Sequence, residues 1–100
     1  MGTGYQKALE ELGYAIDSKK KELYLNNFKL NDNELDQLLP IIFSTIPDLE
    51  ILDLSHNKLT FVPPTIDRFK GLKSLFFNNN EIKQHVPEIG GLQKLSYLKI

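Results

Sequence analysis

The sequence predicts an α/β solenoid, short strands joined by outer helical segments and wound coil upon coil. Three observations carry this: a fixed repeat, apolar–polar alternation inside each repeat, and an asparagine at a matching place in two of them. Leu49-x-x-Leu52-x-Leu54-x-x-Asn57-x-Leu59 and Leu72-x-x-Leu75-x-Phe77-x-x-Asn80-x-Ile82 correspond at five positions, all at the offset that separates Leu49 from Leu72. One more step of the same length leads to Leu95-x-x-Leu98-x-Ile100. Upstream, Leu23-x-Leu25-x-x-Phe28-x-Leu30 fits the same frame, with Lys20 in the first leucine slot and Phe28 in the asparagine slot. Leu52 and Leu54, like Leu75 and Phe77, alternate with neighbours that face the other way, so one strand face is buried and the other free. Just past the strand the asparagine turns inward, where its amide satisfies backbone groups of adjoining coils. This gives Asn57 and Asn80 a structural role.

The pattern resembles the leucine-rich-repeat family, whose motif is L-x-x-L-x-L-x-x-N-x-L, over Lys20 to Ile100, about four fifths of the chain. The run from Pro87 to Leu92 is similar to the 23-residue subclass found in plant and Ras-pathway repeat proteins and in many bacterial ones. The resemblance implies a right-handed solenoid, a short horseshoe with parallel strands on its concave side. It also implies a module that binds another protein through that side and is not an enzyme. Two alternatives stay open: a recognition segment of a larger bacterial effector, signalling protein or ubiquitin ligase, and a structural spacer without a specific partner.

Taken in order, the elements begin with Tyr5, Leu9, Leu12 and Ile16, one apolar stripe on a helix from Thr3 to about Ser18. Thr3 and Gln6 have the spacing of a capping box. Residues 1–18 are thus expected to cap the solenoid, because a stack of repeats otherwise exposes its core. Residues 19–100 form about three and a half repeats, the last incomplete. The first repeat, from Lys20 to Leu49, is longer than the others and holds Leu35, Leu38, Leu39, Ile42, Phe43 and Ile46 at helical spacing. Asn31 with Glu34 marks the start of a true α-helix, which Pro40 should kink or divide and Pro47 should end. In the later repeats Val62-Pro63-Pro64-x-Ile66-x-x-Phe69 and His85-Val86-Pro87-x-Ile89-x-x-Leu92 predict shorter helical turns, with His85 a packing residue. Because the chain stops at Ile100, before the asparagine turn, Leu95, Leu98 and Ile100 are expected to leave an open edge. Truncation of a longer array explains this, and self-association through the edge follows from it.

Every core slot is filled by the motif, so the outward strand residues are free for recognition. They form two lateral rows, Glu22, Ile51, Ser74, Tyr97 and Tyr24, Asp53, Phe76, Lys99, flanked by Asn26, Asn27, Ser55, His56, Asn78 and Asn79. Four apolar side chains on one solvent face, Tyr24, Ile51, Phe76 and Tyr97, are what an interaction surface requires. Asp53 and His56 lack the third group that a metal site or acid–base machinery needs. Lys19, Lys20 and Lys21 are read as a solvated turn. No glycine-rich phosphate loop or serine elbow stands out, and no cofactor is expected. A net charge of -1 and a pI near 6.1 give no general attraction to nucleic acid or to acidic membranes. Neither a signal peptide nor a membrane-spanning run is visible in the sequence, and with no cysteine at all a reducing compartment is favoured. The expectation is a cytoplasmic protein, or an effector secreted without a classical signal peptide.

Overall fold

Four strands form one parallel sheet in chain order: β1 (Glu22–Tyr24), β2 (Ile51–Asp53), β3 (Ser74–Phe76) and β4 (Tyr97–Lys99). The computed structural model describes residues 2–83 and 96–99. The register pairs Glu22 with Ile51, Ser74 and Tyr97, and Tyr24 with Asp53, Phe76 and Lys99, the two rows expected from the repeat frame. Leu23, Leu52 and Leu75 lie between these rows and point into the core, fully buried, with Leu98 half-buried at the end. The fold class read from the sequence therefore holds. The outer segment His85 to Leu92, the packing role given to His85, and Leu95 and Ile100 lie outside the described residues.

Behind the sheet stands an outer layer. Helix α1 (Thr3–Asp17) packs against β1 and against α2 (Asp32–Thr45), and α2 in turn packs against a 3-10 helix, Pro64–Arg68. The first repeat thus carries a true α-helix and the second a short helical turn, as their apolar spacing implied. Between α2 and the 3-10 helix the rings of Phe43 and Phe69 meet edge to face, centroids 5.4 Å apart. The Arg68 guanidinium lies 4.4 Å above the Phe43 ring, a cation–π contact that also covers the seam.

Helix α2 starts as its sequence dictates. The Asn31 side chain accepts from the Glu34 N–H at 2.8 Å, and Glu34 accepts from the Asn31 N–H at 3.1 Å, a complete capping box. Of the two outcomes expected at Pro40, a kink or a division, the helix is not divided. Pro40 sits on the exposed side, and Asp36, whose carbonyl loses its partner to the proline ring, is exposed as well, so water can replace the missing bond. The buried side, Leu35, Leu38, Leu39 and Ile42, holds the helix together across the proline.

Two expectations for α1 need correction. The helix starts at Thr3 as expected, but Thr3 is not the cap: Gly2 is the N-cap, with no capping side chain, and Thr3 stands inside the first turn. The buried stripe is also rotated, consisting of Tyr5, Ala8, Leu12 and Ala15 with Leu9 partly buried, while Ile16 is 40% exposed. Small side chains let the helix settle close to the first coil. At Gly4 the approach is closest, since a Cβ there would lie 1.6 Å from the carbonyl oxygen of Phe28. Only glycine fits.

Candidate protein-binding face

Asparagine ladders lock the coils that present this face. Asn57 Oδ1 accepts from the backbone N–H groups of Phe28 and Leu30 at 3.1 and 3.0 Å. Its Nδ2 donates to the carbonyls of Leu25, Leu54 and Ser55 at 2.9, 3.0 and 3.2 Å. Asn80 repeats the arrangement one coil later. It accepts from the N–H groups of Asn57 and Leu59 at 3.1 and 3.0 Å and donates to Leu54, Phe77 and Asn78. Both asparagines are thus saturated by backbone and have nothing left for chemistry.

On the open face of the sheet, Tyr24 and Tyr97 are 44% and 48% exposed, and Ile51, Asp53, Ser74 and Phe76 are half-buried. Glu22 and Lys99 are exposed. The rings of Phe76 and Tyr97, on adjacent strands, pack with centroids 5.2 Å apart at 44°. The Tyr24 hydroxyl donates to Glu22 Oε1 at 3.0 Å. Its ionisation is pushed above the usual phenol range, first by burial, then by that hydrogen bond and by the negative charges of Glu22 and Asp53. Asp53 Oδ1 accepts from both the backbone N–H and the hydroxyl of Ser55, at 2.9 and 2.6 Å. That bond draws Ser55 inward. Placed on the free face by the sequence frame, Ser55 is in fact buried, because it fastens the turn after β2. The Asp-x-Ser pattern was the available signal.

The turn residues form the lower margin of the face. Asn27, His56 and Asn79, each one residue before the motif's asparagine slot, all have positive φ, at 65°, 57° and 59°. Asn79 Nδ2 lies 3.1 Å from His56 Nε2, so these two neighbours bond laterally and His56 does not reach toward Asp53 as a catalytic partner would. Asn26 and Asn78 are half-buried beside them. Of the residues the sequence frame put on or beside the free face, the sheet brings the eight strand residues into one surface, Asn26, Asn27, His56, Asn78 and Asn79 border it, and Ser55 is buried. Among the described residues no group of three or more His, Asp or Glu side chains is placed to hold a metal ion. No described helix is long and apolar enough to cross a membrane.

Parallel strands in chain order, one per coil, with an inward asparagine after each of two strands, define a repeat solenoid with one open sheet face. Residues 24–82 match the family described as Leucine rich repeat. Podocan-like protein 1 of Homo sapiens is 40% identical over 79 residues, covering 78% of this chain and 14% of that protein. The Volume-regulated anion channel subunit LRRC8D of Rattus norvegicus is 34% identical over 86 residues, 85% of this chain and 10% of that protein. Leucine-rich repeat-containing protein 51 of Macaca mulatta is 34% identical over 83 residues, 82% of this chain and 43% of that protein. The chain belongs to the leucine-rich-repeat family. It spans less than half the length of each of these relatives. Domains of this family generally mediate protein–protein interaction and are typically not enzymes.

Proposed function

We propose that the chain binds a partner protein through the open face of its sheet, with Tyr24, Asp53, Phe76 and Tyr97 at the centre. The observation that carries this reading is the exposed aromatic group: Tyr24 and Tyr97 are 44% and 48% exposed although the core is complete without them. Rigid aromatic side chains on a solvent face supply contact area at little entropic cost, and they dominate measured binding hot spots. Replacing Tyr24 and Phe76 by alanine should lower affinity for a captured partner by about 30-fold each, at about 2 kcal/mol per hot spot. Circular dichroism should not change. A matching variant on the outer layer, Tyr14→Ser with Ile41→Ser, should leave capture intact. Capture that survives the first pair overturns the assignment of the face.

The absence of cysteine supports placing this activity in a reducing compartment such as the cytoplasm. A second reading, a recognition segment of a larger signalling protein, effector or ubiquitin ligase, draws support from the relatives, which are far longer than the chain. Self-association is a separate proposal. Tyr97 N–H and Lys99 C=O bond to the β3 strand region, so strand alternation turns the N–H and C=O of Leu98 to the side of β4 that no described strand pairs with. Light scattering across a concentration series should show a dimer forming, and a monomer at all concentrations overturns it.

A further inference from the structure

We infer that Asp53, flanked by Tyr24 and Phe76 and supported by Glu22, is a subsite for a guanidinium side chain of the partner, and that the Phe76–Tyr97 pair takes an apolar side chain two residues away on an extended segment. The inference rests on the reading of the open face as protein-binding and names the chemistry of what binds there.

The register puts Asp53 directly between two aromatic residues, Tyr24 on β1 and Phe76 on β3. Its Oδ1 is held by the N–H and hydroxyl of Ser55, which fixes the carboxylate, and Oδ2 has no partner among the described residues. Glu22 is in the same state: Oε1 holds the Tyr24 hydroxyl, and Oε2 has no partner among the described residues. The ion pairs of the described residues, Lys21 with Asp48 and Lys73 with Glu50, engage neither carboxylate. Any protein that covers this face therefore desolvates two carboxylates. That weakens binding unless the partner brings positive charge to them. Burial first, and then the hydrogen bond to Glu22 and the charges of Glu22 and Asp53, raise the ionisation of Tyr24 beside them.

A guanidinium suits the site better than an ammonium. Its planar fork can take the free oxygens while its faces lie against the flanking rings, and it is more weakly hydrated. Direction follows from the rest of the row. Lys99 ends it on β4, so the cation belongs over β1 and β2, and the uncharged part over Phe76 and Tyr97. From Asp53 to the midpoint of that ring pair is one and a half strand spacings across and one residue along the strands, roughly 8 Å. Alternate residues of an extended chain advance by a comparable distance, roughly 6.7 Å. The occupant is thus an extended stretch crossing the strands, with arginine and an apolar residue two positions apart.

Selection of random short peptides displayed on phage against the whole chain tests this. Sequences carrying arginine two residues from an apolar residue should be enriched. In a synthetic peptide of the selected sequence, replacing that arginine by citrulline, which keeps the shape and loses the charge, should weaken binding at least about 10-fold. Asp53→Asn and Glu22→Gln should each shrink the difference between the two peptides, with circular dichroism confirming the fold. Arginine and Asp53 penalties that simply add, or peptides that bind without a basic residue yet still require Tyr24 and Phe76, overturn the subsite and leave the binding face standing. Peptides indifferent to Tyr24→Ala and Phe76→Ala overturn both.

Discussion

The first and second coils meet the same structural demand with different residues. In the second coil, Asn57 closes the turn and joins it to its neighbour. The first coil has Phe28 in that slot, half-buried, with its carbonyl against Gly4 of α1. The hydrogen bonds explain the exchange. Asn57 Oδ1 and Asn80 Oδ1 each accept only from the coil before their own, Phe28 and Leu30 in one case, Asn57 and Leu59 in the other. The motif asparagine looks backwards. Before the first coil lies a helix instead of another turn, so an asparagine there would have no preceding turn to serve, and Phe28 packs part-buried against the core. The outer layer differs in step: the longer first repeat has room for the capped helix α2, whereas the shorter second repeat has room only for the 3-10 helix.

Breaking the backward link should have the largest effect. Asn57→Ala strands the N–H groups of Phe28 and Leu30 and the carbonyl of Leu25, while the carbonyls of Leu54 and Ser55 keep donors in Asn80 and Asn27, and it should cost about 3–5 kcal/mol in chemical denaturation. Asn80→Ala, at a more exposed site where water can substitute, should cost about half of that. Equal losses would mean that burial does not govern the ladder. Gly4→Ala tests the first coil's alternative: the new methyl group meets the Phe28 carbonyl, and either α1 lifts or the turn shifts, at about 2–3 kcal/mol. Thermal melts that are unchanged would remove Gly4 from the account. The smallest effect should be a gain. Lys29, immediately after Phe28, has φ 56°, a strain absent at its counterparts Lys58 and Glu81, so Lys29→Gly should stabilise by about 0.5–1 kcal/mol. A loss would show that the lysine side chain contributes more than its backbone conformation costs.

Period and alternation made the sheet legible, because a register offset of one residue would turn every leucine outward. Hence both lateral rows could be written down from the sequence, down to Tyr24 beside Asp53 and Phe76 beside Lys99. The start of α2 was legible too, since the Asn31–Glu34 box is a local arrangement. Features that depend on how elements dock were not. The rotation of α1 toward Ala8 and Ala15 is set by close approach to the first coil, which no stripe of large residues announces. The continuity of α2 through Pro40 depends on which side of the helix faces water. Ser55 was misplaced because alternation was carried past the end of β2 into a turn, where a carboxylate two residues back governs direction.

The left-handed residues Asn27, His56 and Asn79 have a use beyond this chain's own geometry. They occupy the same column in three successive coils, including the one with Phe28 in the asparagine slot. Divergent coils can hide from a search built on leucines and asparagines, as the first one nearly does with Lys20 and Phe28. The backbone of the turn is less forgiving, since few side chains tolerate that conformation. A column of Asn, His or Gly at the coil period is therefore a counting mark. It offers a way to number the turns of much longer relatives where their motif has worn away.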